Sequence, residues 1–451
     1  MRVRYVASGI LLVAAFALLG HVSASSEKGA VPLLYTVAKK YDALAWLQGN
    51  ERFPRGAQIF IQTGSERHLL VNGFAASADP AVSFDGERVL FAGKQKATDS
   101  WQIYEVAVNG DGPRRVLPCD KDCVRPLYLP EDRFVYAHSV RGQFVLEAAP
   151  LAGGKPVQLT YAPGNWFPSD VLRDGRVLFE GAYPEGKGSS VELYTVYSDG
   201  SGVESYRCDH GHARHAGRQV ESGDIVFASG RGLARFASAL AHEVSISAPA
   251  GEYAGDVVEM SSGEWLLTWR VDSQKPFQVR RWKPGSNTLE TVAGGAEGDF
   301  IQPALLAPRT LSNRHPSALH DWTYANLLCL NAYTSKYSFA EGSVASVRLH
   351  TQDRSGKQAL LGTASVESDG SFYLRTPADQ PLKIELLDRS GKTLKRESGW
   401  FWLRRGEQRV CVGCHAGPET APENAVPAVL SRSTIPADMT GSGVATPKGG
   451  H

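Results

Sequence analysis

The 451-residue sequence has six cysteines, three methionines and almost no net charge, and each shortage excludes something. Six cysteines are too few to scaffold a chain of this length by disulfides. With 48 Lys plus Arg against 47 Asp plus Glu, no broad positive face is offered to a polyanion, and a nucleic-acid-binding role is set aside. What remains is ordinary globular composition, 42% hydrophobic and 21% charged, which excludes wholesale disorder, collagen, a coiled coil and a multi-span membrane protein. The length suggests two or three domains, each able to bury its own core.

The N-terminus is the exception to this evenness. Met1-Arg-Val-Arg4 is basic, Tyr5 to Gly20 is apolar except at Ser8 and Gly9, and Val22-Ser-Ala24 supplies small residues for cleavage. That order predicts a signal peptide over 1–24. The apolar stretch of about 16 residues falls short of the roughly 20 that span hydrocarbon, so a permanent anchor is the weaker reading. The expected location is periplasmic or otherwise exported, with no membrane span after cleavage. Loss of Arg2 and Arg4 would take the net charge from +1 to −1.

From about residue 53 to 308 one phrase recurs, a tight polar turn followed by a short β-branched and aromatic strand. The turns are Asp85-Gly86, Glu131-Asp132, Asp174-Gly175, Ser222-Gly223 and Ser262-Gly263, and their second residues are 46, 43, 48 and 40 apart. A period of 40 to 50 residues with several strands per repeat predicts a β-propeller, because a four-stranded blade has two apolar faces and must stack on its neighbours. Five blades are marked. A sixth is expected to be split, with Gln58–Ile61 and Leu69–Val71 from one end of the chain and Ile301–Leu306 from the other, which abolishes the free sheet edge. The expected boundaries are an N-terminal extension over 25–52 and an all-β, six-bladed propeller over 53–308.

Beyond Pro308 the pattern shifts to short strands at Val344–Leu349, Ala359–Ala364, Ser371–Leu374 and Leu382–Leu387, with turns such as Ser368-Asp-Gly370 between them. They predict a small β-sandwich over 309–404. A cofactor-attachment segment over 405–430 follows, then a disordered tail over 431–451 rich in small and polar residues.

The sharpest motif is Cys411-Val-Gly-Cys414-His415. Two thiols at this spacing can add across the two vinyl groups of one haem while the next imidazole reaches the iron, so covalent haem c is expected, with His415 as proximal ligand. A redox dithiol or half a zinc site is the competing reading of a bare Cys-x-x-Cys. It is disfavoured by the adjoining His415, by the export signal and by the absence of a second Cys-x-x-Cys. Trp400, Phe401 and Trp402 could seat a large flat ligand or serve as sandwich core, and Arg404, Arg405 and Arg409 could pair with propionates. The Pro-rich stretch after His415 lacks the amphipathic helix of a free-standing cytochrome, so the haem must borrow its pocket from the sandwich or the propeller.

The distal ligand is open. Candidates are His210, His212 and His215 in the cluster Cys208-Asp-His-Gly-His-Ala-Arg-His215, then His68, with His138, His242, His315, His320, His350, Met260 and Met439 behind them, or no protein ligand at all. Alternation would put His210 and His212 on one strand face, where they could hold zinc or copper with Cys208 and Asp209. Cys119 and Cys123 lie in a polar loop between blades, and a local disulfide is the economical reading in an oxidising compartment.

Taken in order, the signal peptide, a TolB-like propeller with the phrase Asp79-Pro-Ala-Val-Ser-Phe-Asp-Gly86, the stretch Leu327-Leu-Cys-Leu-Asn-Ala-Tyr333 and Gly406-Glu-Gln-Arg-Val-Cys-Val-Gly-Cys-His415 resemble the middle and C-terminal domains of the hydrazine synthase alpha subunit family. The resemblance implies that Cys411, Cys414 and His415 hold a six-coordinate haem whose distal histidine comes from the propeller region. In that family a second haem sits in an N-terminal cytochrome domain, where a further Cys bonds the macrocycle and a Tyr eight residues later ligates the iron. Cys329 and Tyr337 have that separation here, and they are expected either to meet a haem supplied by a partner or to serve in packing, as a buried free Cys and a core Tyr. This sequence has no second Cys-x-x-Cys-His, so a second haem is expected only if a partner supplies it.

Three functions therefore stand open. The first is an exported monohaem electron-transfer protein with a redox partner, possible candidates including a small c-type cytochrome. The second is an oxidoreductase subunit that completes an active site near Cys329 and Tyr337 with such a cytochrome. The third is a propeller binding module with a redox or sensory haem. Hydrazine synthesis itself is not assigned, and no catalytic residue is identified.

Overall fold

The computed structural model describes residues 31–108, 112–183, 190–207, 211–335, 339–353, 355–414 and 424–441. The expected signal peptide lies outside them, as do Cys208, Asp209, His210, Tyr337 and His415. No helix among the described residues is long and apolar enough to cross a membrane.

Each recurring turn does what its composition predicts. Gly86, Asp132, Gly175, Gly223 and Gly263 all have positive φ, between 50° and 94°, and each joins the first and second strands of a four-stranded antiparallel sheet. Glycine meets this demand without steric cost, and Asp tolerates it better than most residues. At Gly175 a second constraint applies, because a Cβ there would sit 2.3 Å from the carbonyl oxygen of Asn313, on the chain leaving the propeller.

Blades one to five run consecutively and begin with the strands Ala76–Val82, Cys123–Leu129, Asn165–Val171, Arg214–Gln219 and Glu252–Glu259. Blade six is assembled from both ends of the domain, in the order Asp299–Leu305, Leu33–Ala38, Ala57–Thr63 and Glu66–Leu69. The inner strands of the six blades pack side by side and return on themselves, so among the described residues the ring is closed.

Leu33–Ala38 corrects the expected N-terminal extension, since this strand lies inside blade six. It pairs with Asp299–Leu305 on one side and with Ala57–Thr63 on the other, and Tyr35 is fully buried against Phe300. The link that follows it is not peripheral either. Tyr41, Trp46 and Phe53 are buried in the same core as the inner strands, and Arg52 makes a two-pronged ion pair with Asp79 at 2.8 and 2.6 Å.

The inner strands are bulged where they line the central channel. Asp79, Arg125, Ala216, Asp256 and Gln302 have φ between 52° and 58°, a left-handed conformation uncommon for residues other than glycine. The strain is compensated by side chains that tie one blade to the next. Asp79 accepts the amide N–H of Arg125 and the side chain of Gln302, Arg125 pairs with Glu180, Glu180 accepts the N–H of Ala216, and Arg218 reaches Asp256 at 2.9 Å. Burial alone would raise the Asp79 and Glu180 carboxyls. Their arginine partners and the N–H donors outweigh it and hold both below the ordinary carboxylate range.

The second domain has two four-stranded sheets. One contains Gln408–Cys411, Tyr324–Cys329, Phe372–Pro377 and Ala437–Asp438, and the other Gln358–Ser365, Ser346–Gln352, Leu382–Leu387 and Thr393–Arg396. Their inner faces share a core that includes Val347, Leu349, Leu374, Leu386, Leu403 and Met439. Two expected boundaries change here. The attachment segment begins with a strand of the sandwich itself, and the expected tail contributes Ala437–Asp438 and Met439 to the sandwich. Helix Ala428–Arg432 is tied to Asp369 and Ser371, Ala437–Asp438 adds a parallel strand, and Met439 is only 2% exposed.

Candidate functional site

Cys411 is the last residue of an edge strand. Gln408–Cys411 runs parallel to Tyr324–Cys329, with Leu328 opposite Val410 and Cys329 opposite Cys411. The amide of Leu330 donates to the Cys411 carbonyl at 2.9 Å. Beyond Cys411 the chain turns against the loop Asn331–Thr334. A Cβ at Gly413 would come within 2.0 Å of the Thr334 carbonyl oxygen and 2.8 Å of that of Asn331, so only glycine lets the turn approach this closely. The thiols of Cys411 and Cys414 are unbonded, partly exposed, and packed on the end of the sandwich core, while the neighbouring Val410 is 56% exposed. Burial pushes the Cys411 thiol up to about 11, so it is protonated at neutral pH.

Cys329 is in the same place. It is 1% exposed, and its thiol is raised well above the ordinary range first by a hydrogen bond shared with Cys414 and then by burial. The sandwich and the Cys411–Cys414 segment therefore cover it. Cys329 is thus a buried free cysteine, as the packing reading of this residue expects, and Tyr337 lies outside the described residues.

The arginines and tryptophans around the motif are engaged elsewhere. Arg409 donates to Glu407 at 2.9 and 2.7 Å and to the carbonyl of Val203 in blade three at 2.9 Å. Arg404 binds Asp379 at 2.7 Å, the carbonyl of Asp199 at 3.0 Å and the hydroxyl of Tyr161. Trp402, 1% exposed, packs 6.3 Å from Trp166 and donates its indole N–H to Gly200, while Tyr183 donates to the Trp400 carbonyl at 2.6 Å. These side chains fasten the sandwich to blade three. Arg405, paired with Asp379 but 66% exposed, keeps most of its surface free.

The histidines are dispersed. His68 lies on the outermost strand of blade six, three blades around the ring from blade three, which removes it as a distal ligand for a group held at Cys411 and Cys414. His215 is buried behind the channel beside Glu180, with burial lowering its affinity for a proton and Nδ1 lacking a hydrogen-bond partner. His212 is exposed and precedes the strand, which begins at Arg214, so it does not lie on a strand face, and His210 lies outside the described residues. Among the described residues no three His, Cys, Asp or Glu side chains are grouped to hold a metal ion. Of the remaining candidates, His138 bridges Glu147 and Asp120, His350 binds Glu385, and His315 and His320 stack on Tyr197 and Trp322. His242 contacts Arg207, Met260 packs beside blade five, and Met439 is inside the sandwich core. Cys119 and Cys123 form a disulfide.

Sequence reasoning did not find the tie from Arg409 to blade three. It fixes Val203, which precedes the outermost strand Glu204–Ser205 of blade three, to Arg409, two residues before Cys411.

Comparison with known proteins bears on this same segment. The hydrazine synthase alpha subunit middle domain matches residues 331–416. A curated relative, hydrazine synthase subunit alpha of Kuenenia stuttgartiensis, is 34% identical over 77 residues, 17% of this chain. Over this segment the chain is similar to the hydrazine synthase alpha subunit. The matched stretch spans 10% of that relative's length. The solved structure of Kuenenia stuttgartiensis hydrazine synthase superposes on 89% of this chain and 72% of its own, with a TM-score of 0.78 at 16% identity, so the propeller and sandwich share its fold.

Proposed function

We propose that this chain is an exported monohaem protein in which Cys411 and Cys414 anchor one haem c through thioether bonds, and that it exchanges electrons with a redox partner. His415 is the proximal ligand. The donor set suits this group: two unbonded thiols at the end of an edge strand, three residues apart, on a turn held tight by Gly413. The open position of Val410 and the free surface of Arg405 leave apolar and cationic contacts for a macrocycle and its propionates. When bound, the haem supplies a one-electron redox centre.

The chain's own contribution is position. Arg404, Arg409 and Trp402 lock the segment that carries Cys411 onto blade three. His210 or His212 is the proposed distal ligand. Hydrazine synthase alpha is by its name a subunit, and this supports a second reading in which the present chain works inside a multi-subunit oxidoreductase. In that case the exposed surface around Val410 is the proposed partner contact.

The carrying observation is the partly exposed, unbonded Cys411 and Cys414 pair fixed against the Asn331–Thr334 loop. Co-expression with a c-type maturation system tests it. The protein should gain the mass of one haem, resistant to acid-acetone extraction, and lose it in Cys411→Ser with Cys414→Ser.

A further inference from the structure

The five left-handed residues of the inner strands all line one cleft of about 450 Å3 in the central channel of the propeller. Backbone strain held in place by its surroundings gathers where a protein binds or reacts, and this cleft belongs to neither the sandwich nor its cysteines. The link after Leu33–Ala38 crosses one end of the channel. Tyr41 packs on Phe277 of blade five and donates its amide to Asp299 of blade six, Trp46 packs on Phe167 of blade three, and Phe53 packs on Trp101 of blade one. Apolar wall is supplied by Pro80, Pro126, Pro168 and Pro303, none of which has an N–H to offer. The polar groups are only half used. Arg125 donates from its side chain to Glu180 through Nη1 alone and Arg218 to Asp256 through Nη2 alone, although a guanidinium carries five N–H donors, and Nε of Arg218 is buried without a partner. Of the two acids in the lining, Asp79 has both oxygens taken by Arg52, Gln302 and the amide of Arg125. Asp256 accepts from Arg218 at Oδ1, and among the described residues nothing donates to its Oδ2. The side chains of Arg218 and Asp256 keep 29% and 16% of their surface open, so solutes reach them.

We propose that the channel binds a small zwitterion of the α-amino-acid class, its carboxylate on the open N–H groups of Arg125 and Arg218, its ammonium on Asp256 and its carbon against the prolines. Arg125 stands on blade two and Asp256 on blade five, which face each other in a six-bladed ring. Opposite charges on opposing walls select a ligand charged at both ends. A simple carboxylate would be drawn to the guanidiniums but repelled by Asp256, and a simple amine would meet the reverse. A molecule with both groups satisfies each wall, and in a confined cleft these interactions are screened less than at an open surface. The site involves no covalent step and stands whether or not haem is held at Cys411 and Cys414.

The test is a calorimetric titration of the full chain with each of the standard L-amino acids, and with acetate and methylammonium as the two half-ligands. At least one amino acid should bind with a Kd of about 1 mM or tighter, and both half-ligands at least tenfold more weakly. Asp256→Asn should weaken that amino acid at least tenfold and tighten acetate, because the repelling carboxylate is gone while both guanidiniums stay. Effects of opposite sign do not come from a general loss of structure. Arg218→Lys, which keeps the charge but not the planar fork, should weaken the amino acid and acetate together. An acetate affinity that falls with that of the amino acid in Asp256→Asn would overturn the assignment. If a variant does not fold, the unaltered chain decides alone: the proposal fails if no amino acid reaches that affinity, or if acetate or methylammonium matches the best of them.

Discussion

Trp402→Ala probes the joint on which the site depends. Trp402 is one of the largest fully buried side chains, lies between Tyr161 and Trp166, and spends its indole N–H on Gly200. Truncating a buried Trp costs about 3–5 kcal/mol, from lost transfer free energy and the cavity left behind. Because this contact joins two domains, the loss should be felt mainly as detachment of the sandwich from blade three. At 1.4 kcal/mol per tenfold, that is about two to three and a half orders of magnitude in the opening equilibrium. Native-state hydrogen exchange reads this locally, at the amides of Arg404, Gly202 and Gln408, with the amides of blades five and six as internal controls. Trp402→Phe, which keeps most of the ring, should retain more than half of the protection. The reasoning fails if Trp402→Ala lowers protection at the joint less than tenfold, or lowers it equally in blades five and six.

The channel and the surface give two further expectations. Glu180→Gln leaves Arg125 charged and buried without its counter-ion, which should cost about 3–5 kcal/mol by chemical denaturation, and Arg125→Met added to it should recover part of that loss. Since the folded Glu180 carboxyl lies below its ordinary value near 4.5, its stabilisation is complete above that pH and is lost as pH falls through the folded value. The variant should therefore flatten the acid limb of the stability curve. His138 behaves oppositely. Its hydrogen bond to Glu147, with help from Asp120, outweighs partial burial and raises its pKa above 6.5, so its stabilisation is present below 6.5 and disappears as pH rises through the folded value. An NMR titration of the His138 ring should give a midpoint above 6.5, and Glu147→Gln should lower it.

Most of the architecture was readable in the primary structure because a propeller repeats its turns. Five turn residues with positive φ, spaced by one blade each, marked five blades. Leu33–Ala38 was missed because it carries no such turn and its partner Asp299–Leu305 lies more than 260 residues away. The channel bulges left a trace in Asp79-Pro80, Arg125-Pro126 and Gln302-Pro303, where a proline follows the left-handed residue, but the phrase fades at Ala216 and Asp256. Met439 is one apolar residue in a polar stretch, and composition alone cannot show that it fills a core. At the candidate site, spacing identified Cys411 and Cys414 as a pair. It could not assign Arg404, Arg409 and Trp402, because a guanidinium or an indole suits a propionate or a porphyrin as well as it suits a neighbouring blade. Only the fold decides between them, and here it places them in the joint. The proximity of Cys329 was hidden for a related reason: parallel pairing with Gln408–Cys411 joins segments about 80 residues apart.

The most direct measurement is a pyridine hemochrome spectrum on the full-length chain purified from cells that mature c-type cytochromes, alongside its intact mass. Anchorage at Cys411 and Cys414 predicts one haem per chain with an α-band typical of two thioether bonds, shifted in either single cysteine variant. A colourless protein at the mass of the unmodified polypeptide would contradict it.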